Sequence, residues 1–298
     1  MIELRDMQLL CALARHRHFA KAAEECGISQ PAFSMRIRKL EDKLGVSIVR
    51  RANRYLGLTG EGELLVARAR VILDQARALE QEFKAARGEI VGTLVLGVVP
   101  TATAFAARLA VLLHHAHPAI VLRIVSASSL TIQQRLEDGT IDAGLTYGNS
   151  IGTDQVTLET LYEESYVLLA PVAMVKDSLR DISWTDAATL PLSLLEPGMQ
   201  NRRILNRMFQ DLSLTPRVVA ETNGFTASIV MAREGLAATI VPQVLVASLG
   251  VPEGTTVLPL VAPSLSKPIC LATPERPQEM PVVRALKGIV WQVRDKQN

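Results

Sequence analysis

Residues 20–45 read AKAAEECGISQPAFSMRIRKLEDKLG, and this stretch decides the N-terminal fold. A short helix is predicted before Gly27, because glycine favours the left-handed conformation that ends a helix. Ser29 is a good N-cap for a longer helix, and Pro31 is tolerated in its first turn, where a missing N–H needs no partner. The longer helix is predicted to end at Gly45. Two helices joined by a tight glycine turn form a helix-turn-helix.

The longer helix has two chemically different sides. At 100° per residue, four apolar side chains fall on one stripe that should pack inward. The opposite side carries polar and basic groups that can reach base edges and phosphates in a major groove. The alternative is a solvated helix face, as on most charged helix surfaces. The inward residues are Phe33, Ile37, Leu40 and Leu44; the outward ones are Gln30, Pro31, Ser34, Met35, Arg38 and Lys39, with Arg36 further round toward the DNA backbone.

A first helix is predicted ahead of the helix-turn-helix, and the whole segment is basic. Apolar residues recur at helical spacing from Leu4 to Ala14. Residues 1–60 hold eleven Lys or Arg and six Asp or Glu, a net charge of +5. The rest of the chain carries −3, because the total is +2. A basic head on a mildly acidic body indicates a polyanionic partner at one end only. The helix-turn-helix makes double-stranded DNA the polyanion that we expect.

The same stretch resembles the winged helix-turn-helix of LysR-type transcriptional regulators. The resemblance continues through Arg51-x-x-Arg54 and Leu58-Thr59-x-x-Gly62, so it extends over about sixty residues. It implies a winged helix-turn-helix domain over residues 1–59 of a sequence-specific transcriptional regulator. The matching positions are Ala22-Ala23-Glu24, Gly27-Ile28-Ser29-Gln30-Pro31-Ala32, Ser34, Ile37, Leu40-Glu41 and Leu44-Gly45.

The resemblance also implies residue roles. In that family the positions matching Gln30, Pro31 and Ser34 approach the bases, and a wing arginine lies near the minor groove. Met35 stands where the family usually has arginine, so we expect an apolar contact with a thymine methyl group there. The DNA-binding set predicted for this chain is Ser29, Gln30, Pro31, Ser34, Met35, Arg36, Arg38 and Lys39, with Arg51 and Arg54 in the wing.

A long linker helix is predicted over residues 60–91, because residues 60–87 contain no proline and Thr59 can cap its start. Six apolar residues follow the alternating four-three spacing of a coiled-coil seam. A helix of about 40 Å with no domain core beside it needs a partner helix, so we expect a homodimer or homotetramer and a near-palindromic DNA site. The alternative is packing on its own chain. The seam is Leu65, Ala69, Ile72, Ala76, Leu79 and Phe83.

After Gly92, short apolar strands alternate with helices, which indicates an α/β domain with mostly parallel sheets. The resemblance implies an effector domain over residues 92–298 with two lobes, similar to periplasmic solute-binding proteins (type II). Lobe one is then 92–162 plus 267–298, and lobe two is 163–266. The strands predicted are Thr93–Val99, Ile120–Val125, Ile141–Thr146, Ser165–Leu169, Leu190–Leu195, Arg217–Ala220, Ala237–Val241, Val257–Leu260 and Ile269–Ala272.

Polar residues follow several strands, where free helical N–H groups can bind a small organic anion. The resemblance implies that positions matching Thr101, Ser129, Gln200 and Asn223 line an effector cleft. Each of these residue types also caps helices, which is the alternative. Arg202 and Arg203 could add charge or form surface salt bridges. The effector-binding set is Thr101, Thr103, Ser128, Ser129, Gln200, Asn201 and Asn223.

Other classes are disfavoured. The composition, 48% apolar and 21% charged, is that of a globular protein, and no apolar run reaches the roughly 18–20 residues of a membrane span. The charged N-terminus predicts no export signal, and three cysteines without CxxC spacing suit the cytoplasm.

We expect no metal at His114, His115 and His117, since no further ligand completes a set, and no cofactor. No catalytic motif is present, so an enzyme is not expected. Cys11 and Cys26 are expected in the core. The peroxide-sensing branch of the family has a cysteine near the position of Gln200, and this chain has none there. Contact with RNA polymerase is expected to be indirect or transient, with no membrane partner.

Two rival classes remain open from the sequence. A binding protein or enzyme of the solute-binding fold would explain residues 92–298 but not the basic head and the seam. A constitutive DNA-binding protein with an inactive sensor would explain the whole chain.

Overall fold

The computed structural model describes residues 1–51, 55–86, 89–152, 156–176, 178–276 and 278–295. They form two compact units, Met1–Val91 with Arg276–Pro281, and Gly92–Glu275 with Val282–Asn298. Within the described ranges, no helix is both long enough and apolar enough to cross a membrane.

The first unit is a three-helix core with a two-stranded wing and one long helix. Phe33 and Ile37 are fully buried in its core beside Leu10 and Leu13, and Val66 of the long helix closes it. The elements are α1 (Leu4–His16), α2 (Phe19–Glu25), α3 (Gln30–Leu44), β1 (Val49–Arg51), β2 (Tyr55–Leu58) and α4 (Gly60–Ala85).

The turn chemistry of this unit agrees with the prediction from the sequence. Gly27 (φ 66°) follows α2, and Gly45 (φ 70°) ends α3, both in the left-handed region where a side chain is strained. The Ser29 hydroxyl accepts the backbone N–H of Ala32 at 3.4 Å and so caps α3. The helix-turn-helix is confirmed.

The wing is joined to the end of α3 by a partly buried carboxylate and to the start of α4 by a close backbone contact. Glu41 accepts the backbone N–H groups of Ile48 (2.9 Å) and Val49 (3.1 Å). At the start of α4, the Thr59 hydroxyl accepts the N–H of Gly62 at 3.0 Å. A Cβ atom on Gly62 would lie 2.2 Å from the Ile48 carbonyl oxygen, so a side chain there would push α4 off the wing.

The second unit consists of a large mixed sheet, a small sheet and the helices around them. The large sheet has the strand order β4-β3-β5-β12-β6-β11-β7, with β10 also paired to β6, and β8 pairs with β9 separately. The strands are β3 (Gly92–Val98), β4 (Ile120–Ser126), β5 (Ala143–Tyr147), β6 (Val156–Pro171), β7 (Ile182–Ser183), β8 (Leu192–Leu195), β9 (Val218–Thr222), β10 (Thr239–Pro242), β11 (Thr255–Val261) and β12 (Ser266–Pro274). The helices are α5 (Thr103–Ala116), α6 (Ser129–Glu137), α7 (Trp184–Thr189), α8 (Gln200–Asp211), α9 (Phe225–Arg233), α10 (Gln243–Leu249) and α11 (Pro281–Asp295).

One long strand runs through both halves of this unit. Residues 156–165 of β6 pair with β12, whereas residues 166–171 pair with β10 and β11. The unit is therefore the two-lobed, type II α/β fold: one lobe holds β3, β4, β5 and β12, and the other holds β7 to β11. Trp184 and Phe209 pack edge to face at 5.5 Å in the core of the latter lobe.

Two predictions about the strands need correction. The strand predicted at Ser165–Leu169 lies in the second half of the sixteen-residue β6. The first half was not predicted, because it carries polar side chains such as Glu159 and Glu163 and lacks an apolar run. The sheet is also mixed and not mostly parallel. β12 runs antiparallel to both β5 and β6, because the chain crosses to the other lobe along β6 and must return along β12.

Changing Gly62 to Ala should destabilise the protein by about 1–3 kcal/mol, a typical cost of overpacking, because the new methyl group meets the Ile48 carbonyl. Gly60→Ala is the matched control, since nothing lies within 4 Å of a Cβ atom there. Thermal unfolding of the full chain measures both variants. Equal melting temperatures for the two variants would contradict the close contact.

Candidate nucleic-acid interface and ligand cavity

The side of α3 that faces away from the core is exposed. Phe33, Ile37 and Leu40 are buried, which turns the other side of the helix outward. Met35 is 61% exposed. Gln30, Pro31, Arg38 and Lys39 are also exposed, and Ser34 is partly exposed.

Ser29 and Arg36 have structural partners within the first unit. The Ser29 hydroxyl is engaged as the N-cap of α3. Arg36 donates from Nη2 to Glu3 Oε2 (2.9 Å) and from Nε to Asp6 Oδ1 (3.1 Å). These ion pairs hold α3 against α1, and the DNA-backbone contact predicted for Arg36 stays a prediction.

The DNA contacts predicted for the two wing arginines stay predictions. Arg54 lies outside the described residues, and the structure describes the backbone of Arg51 in β1 but not its side chain.

The seam predicted on α4 divides into two parts. Ala69 is buried and Leu65 is half-buried against the core of the same unit, so this end of the helix does have a core beside it, contrary to expectation. Further along, Ile72 (39%), Leu79 (66%) and Phe83 (65%) are exposed. Ala76 lies between them and is partly exposed. The second half of the seam thus presents apolar side chains to solvent.

The second unit contains a cavity of about 360 Å³ beside one face of α8. The lining side chains of α8 recur at helical spacing, opposite the face that buries Leu205 and Phe209. The far wall comes from the segment after β5 and from the start of β12. The lining residues are Tyr147, Asn149, Ser150, Gln200, Arg203, Ile204, Arg207, Met208, Asp211, Leu265, Lys267 and Pro268.

Of the seven residues predicted to bind effector, Gln200 lies on the wall of this cavity. Thr101 is buried behind the wall, where its hydroxyl lies 3.0 Å from the hydroxyl of Tyr147. Ser128 accepts the N–H of Thr131 at 3.2 Å as the N-cap of α6. Thr103 and Asn223 are exposed and do not line the cavity.

Ser129 and Asn201 are buried polar residues without a hydrogen-bond partner. This holds for the Ser129 hydroxyl and for both side-chain atoms of the Asn201 amide. An unpaired buried polar group costs free energy, and an ordered water or ion is one of the partners that can satisfy it. Neither residue lines the cavity.

A buried carboxyl group lies behind the cavity wall. Glu164 Oε1 accepts hydrogen bonds from the hydroxyls of Tyr147 (2.6 Å) and Tyr166 (2.7 Å), while its Oε2 has no partner. Burial raises the pKa of Glu164 to about 7, and the hydrogen bonds from Tyr147, Tyr166 and Thr101 oppose the rise. Burial likewise raises the pKa of Tyr147 well above its usual range. Lys267 stands opposite Glu164 in the β12–β6 register.

Sequence reasoning missed most of the cavity. Arg207 repeats Arg203 one turn later on α8, and this spacing is a signal that could have been used. Lys267 and Glu164 give no such signal, because only the pairing of β6 with β12 brings them together.

No metal site or reactive thiol emerges from the part of the chain that the structure describes. No group of three or more His, Cys, Asp or Glu there could hold a metal ion. Cys11 and Cys270 are buried, and burial raises the pKa of Cys26, which favours the unreactive thiol form.

Together, a helix-turn-helix with an exposed polar face and a two-lobed domain with a ligand-sized cavity define a ligand-responsive DNA-binding regulator. Comparison with known proteins gives the family. The bacterial regulatory helix-turn-helix family, lysR type, matches residues 4–63, and the LysR substrate binding domain matches residues 87–294. The chain belongs to the LysR family of transcriptional regulators, and it is a sequence-specific DNA-binding protein whose C-terminal domain binds an effector.

Individual relatives agree with this assignment. The HTH-type transcriptional regulator CfxR of Cupriavidus necator is 31% identical over 221 residues, which cover 73% of this chain and 68% of CfxR. A full-length single-residue variant of OxyR from Pseudomonas aeruginosa is 26% identical with a TM-score of 0.74, covering 99% of this chain and 95% of that one. CbnR complexed with its target DNA shares the fold at 21% identity, with a TM-score of 0.63 and coverage of 98% and 100%.

Changing Glu164 to Gln should remove a pH dependence of stability between about pH 5 and pH 8. Because the folded-state pKa of about 7 is above the ordinary value of 4.5, the native protein binds this proton more tightly than the unfolded chain. The stabilisation is full below the ordinary value and is lost as the pH rises through the folded one. Its upper bound is about 3 kcal/mol.

Glutamine keeps the acceptor that Tyr147 and Tyr166 require, so E164Q should still fold. Melting temperatures measured across this pH range should fall for the wild type more than for E164Q. Parallel curves would show that Glu164 does not titrate in this interval.

Proposed function

We propose that this regulator reads its operator through the exposed face of α3, pairs through α4 and senses an effector in the cavity beside α8. The observation that carries the proposal is the division of α3 into a buried apolar side and an exposed polar side. A major groove is wide enough to admit one α-helix, and only outward-facing side chains can reach base edges.

The exposed side chains of α3 suit different parts of a duplex. Gln30 can pair with adenine, and Met35 can contact a thymine methyl group. Ser34 lies between them at the leading end of the helix. Arg38 and Lys39, one turn or more further along, suit phosphates. The wing residues Arg51 and Arg54 are proposed to lie near the minor groove.

Pairing through α4 follows from its exposed apolar residues. This 26-residue helix is about 39 Å long, and the same unit buries only the early seam positions. A second copy would cover Ile72, Leu79 and Phe83 by the same surface, since a two-fold interface is self-complementary. The two helix-turn-helix domains of such a dimer, related by its two-fold axis, would bind a near-palindromic operator.

The proposed mechanism of regulation is a population shift between arrangements of the lobes. A ligand in the cavity contacts α8 of one lobe and the segment after β5 of the other, so it can favour one arrangement. The proposed boundaries are 1–59, 60–91 and 92–298, with lobes at 92–162 plus 267–298 and at 163–266. We propose no enzymatic activity and a cytoplasmic site of action, where the DNA is.

Gln30→Ala should reduce the ratio of operator to random-DNA affinity by about tenfold, the lower part of the range for a lost base contact. Arg38→Ala is the matched comparison: it should weaken both affinities alike and lower the salt slope by about one. Fluorescence anisotropy at several salt concentrations measures both. An unchanged ratio for Gln30→Ala would show that the reading face is elsewhere.

Replacing Leu79 and Phe83 with Asp should halve the mass of the assembly, because buried charges without partners are costly at the paired surface. Leu249→Asp is the control, since Leu249 is 67% exposed but lies on α10. Sedimentation velocity at micromolar concentration measures the mass. Equal masses for the α4 variant and the wild type would disprove pairing through this part of α4.

A further inference from the structure

We propose that the cavity beside α8 is built for a small organic anion whose charged group is bound by Arg203, Arg207 and Lys267. This inference rests on the proposed function, in which that cavity is the effector site. It adds the chemical class of the effector and the residues that select it.

The side chains that line the cavity carry more positive than negative charge. Three cationic side chains line it against one carboxylate, that of Asp211. In the described part of the chain, no carboxylate forms an ion pair with any of the three cations. By contrast, the neighbouring Arg202 is buried and paired with Glu221 at 2.9 Å. Uncompensated cations around one cavity attract an anion, and guanidinium groups bind carboxylates in bidentate geometry.

The backbone at the start of α8 adds positive electrostatic potential to that of the cationic side chains. Met199 occupies its N-cap and gives no side-chain hydrogen bond to the first turn, so backbone N–H groups stay available beside Gln200. The N-terminal end of a helix carries a partial positive charge. The helix therefore supplies positive potential from its backbone as well as from Arg203 and Arg207.

The rest of the wall is apolar and indicates an organic ligand in preference to an inorganic ion. Ile204 and Met208 alternate with the two arginines on α8, and Leu265 faces them from the segment before β12. Such a wall can bury a hydrocarbon body, and methionine adapts to irregular shapes. The volume of about 360 Å³ lies near the lower limit for ligand pockets, roughly 300–1,000 Å³, which fits a small molecule.

A buried hydroxyl group on the cavity wall, that of Ser150, has no hydrogen-bond partner. The Ser150 hydroxyl oxygen is shielded from solvent, makes no hydrogen bond and lines the cavity. A buried hydroxyl without a partner is unfavourable, so a ligand with a hydrogen-bonding group there gains affinity. Ser150 stands across from the α8 side chains, on the segment that follows β5.

The test compares carboxylates with their neutral amides on the full-length protein. Calorimetric titration with hexanoate and benzoate, and with hexanamide and benzamide, keeps ligand shape nearly constant and removes the charge. We expect at least one acid to bind, its amide to bind about tenfold more weakly, and the double variant R203Q/R207Q to lose about tenfold in affinity for the acid. Asp211→Asn should strengthen binding of the acid, because it removes the opposing charge.

Arg233→Gln is the control, since Arg233 is an exposed arginine of the same unit that does not line the cavity. Unliganded melting temperatures and operator binding, measured for every variant, show whether each one folds. The inference fails if neither acid binds, if the amides bind as tightly as the acids, or if R203Q/R207Q binds the acid like R233Q.

Met208→Trp, which fills the cavity, separates this failure from that of the proposed function. If the amides bind the wild type as tightly as the acids and Met208→Trp abolishes binding of both, the cavity is the effector site but does not select charge. If ligands bind Met208→Trp as they bind the wild type, the effector site itself is elsewhere and both proposals fail.

Discussion

Burial of one side of α3 against α1 and α2 is the constraint on which the N-terminal unit depends. Phe33 is fully buried and meets Phe19 edge to face at 6.0 Å. Removing a buried aromatic side chain of this kind costs about 3–5 kcal/mol, a large part of the stability of a small domain. Because this side must face inward and Arg36 binds Glu3 and Asp6, the remaining side is the one available to a duplex.

The C-terminal unit depends on a different feature, the long strand β6. It pairs with β12 in one lobe and with β10 and β11 in the other, so any change of lobe geometry must act on it. Glu164 lies close to the change of pairing partners, and its hydrogen bond to Tyr147 connects it to the cavity wall. The strand thus places a titratable group and the crossing between lobes close to the cavity beside α8.

The sequence predicted local structure well where a single residue determines it. Gly27, Ser29 and Gly45 each act through their own backbone conformation or cap, and the helix-turn-helix follows from them. The first half of β6 was missed because its polar side chains hide the apolar signal of a strand. The candidate ligand site was harder to predict, because it forms from distant segments. Arg207 and Lys267 reach the cavity only through the packing of α8 and the pairing of β12 with β6, so their roles need the tertiary structure.

Photo-crosslinking from α3 to operator DNA tests directly whether the duplex contacts the exposed face of α3. A photoreactive amino acid replaces Met35 on the exposed face of α3 or, in a second variant, the exposed Gln75 on α4. We expect the Met35 variant to crosslink to operator in preference to random DNA and the Gln75 variant not to crosslink. A crosslink from Gln75 with none from Met35 would contradict it, because the duplex would then contact a different surface.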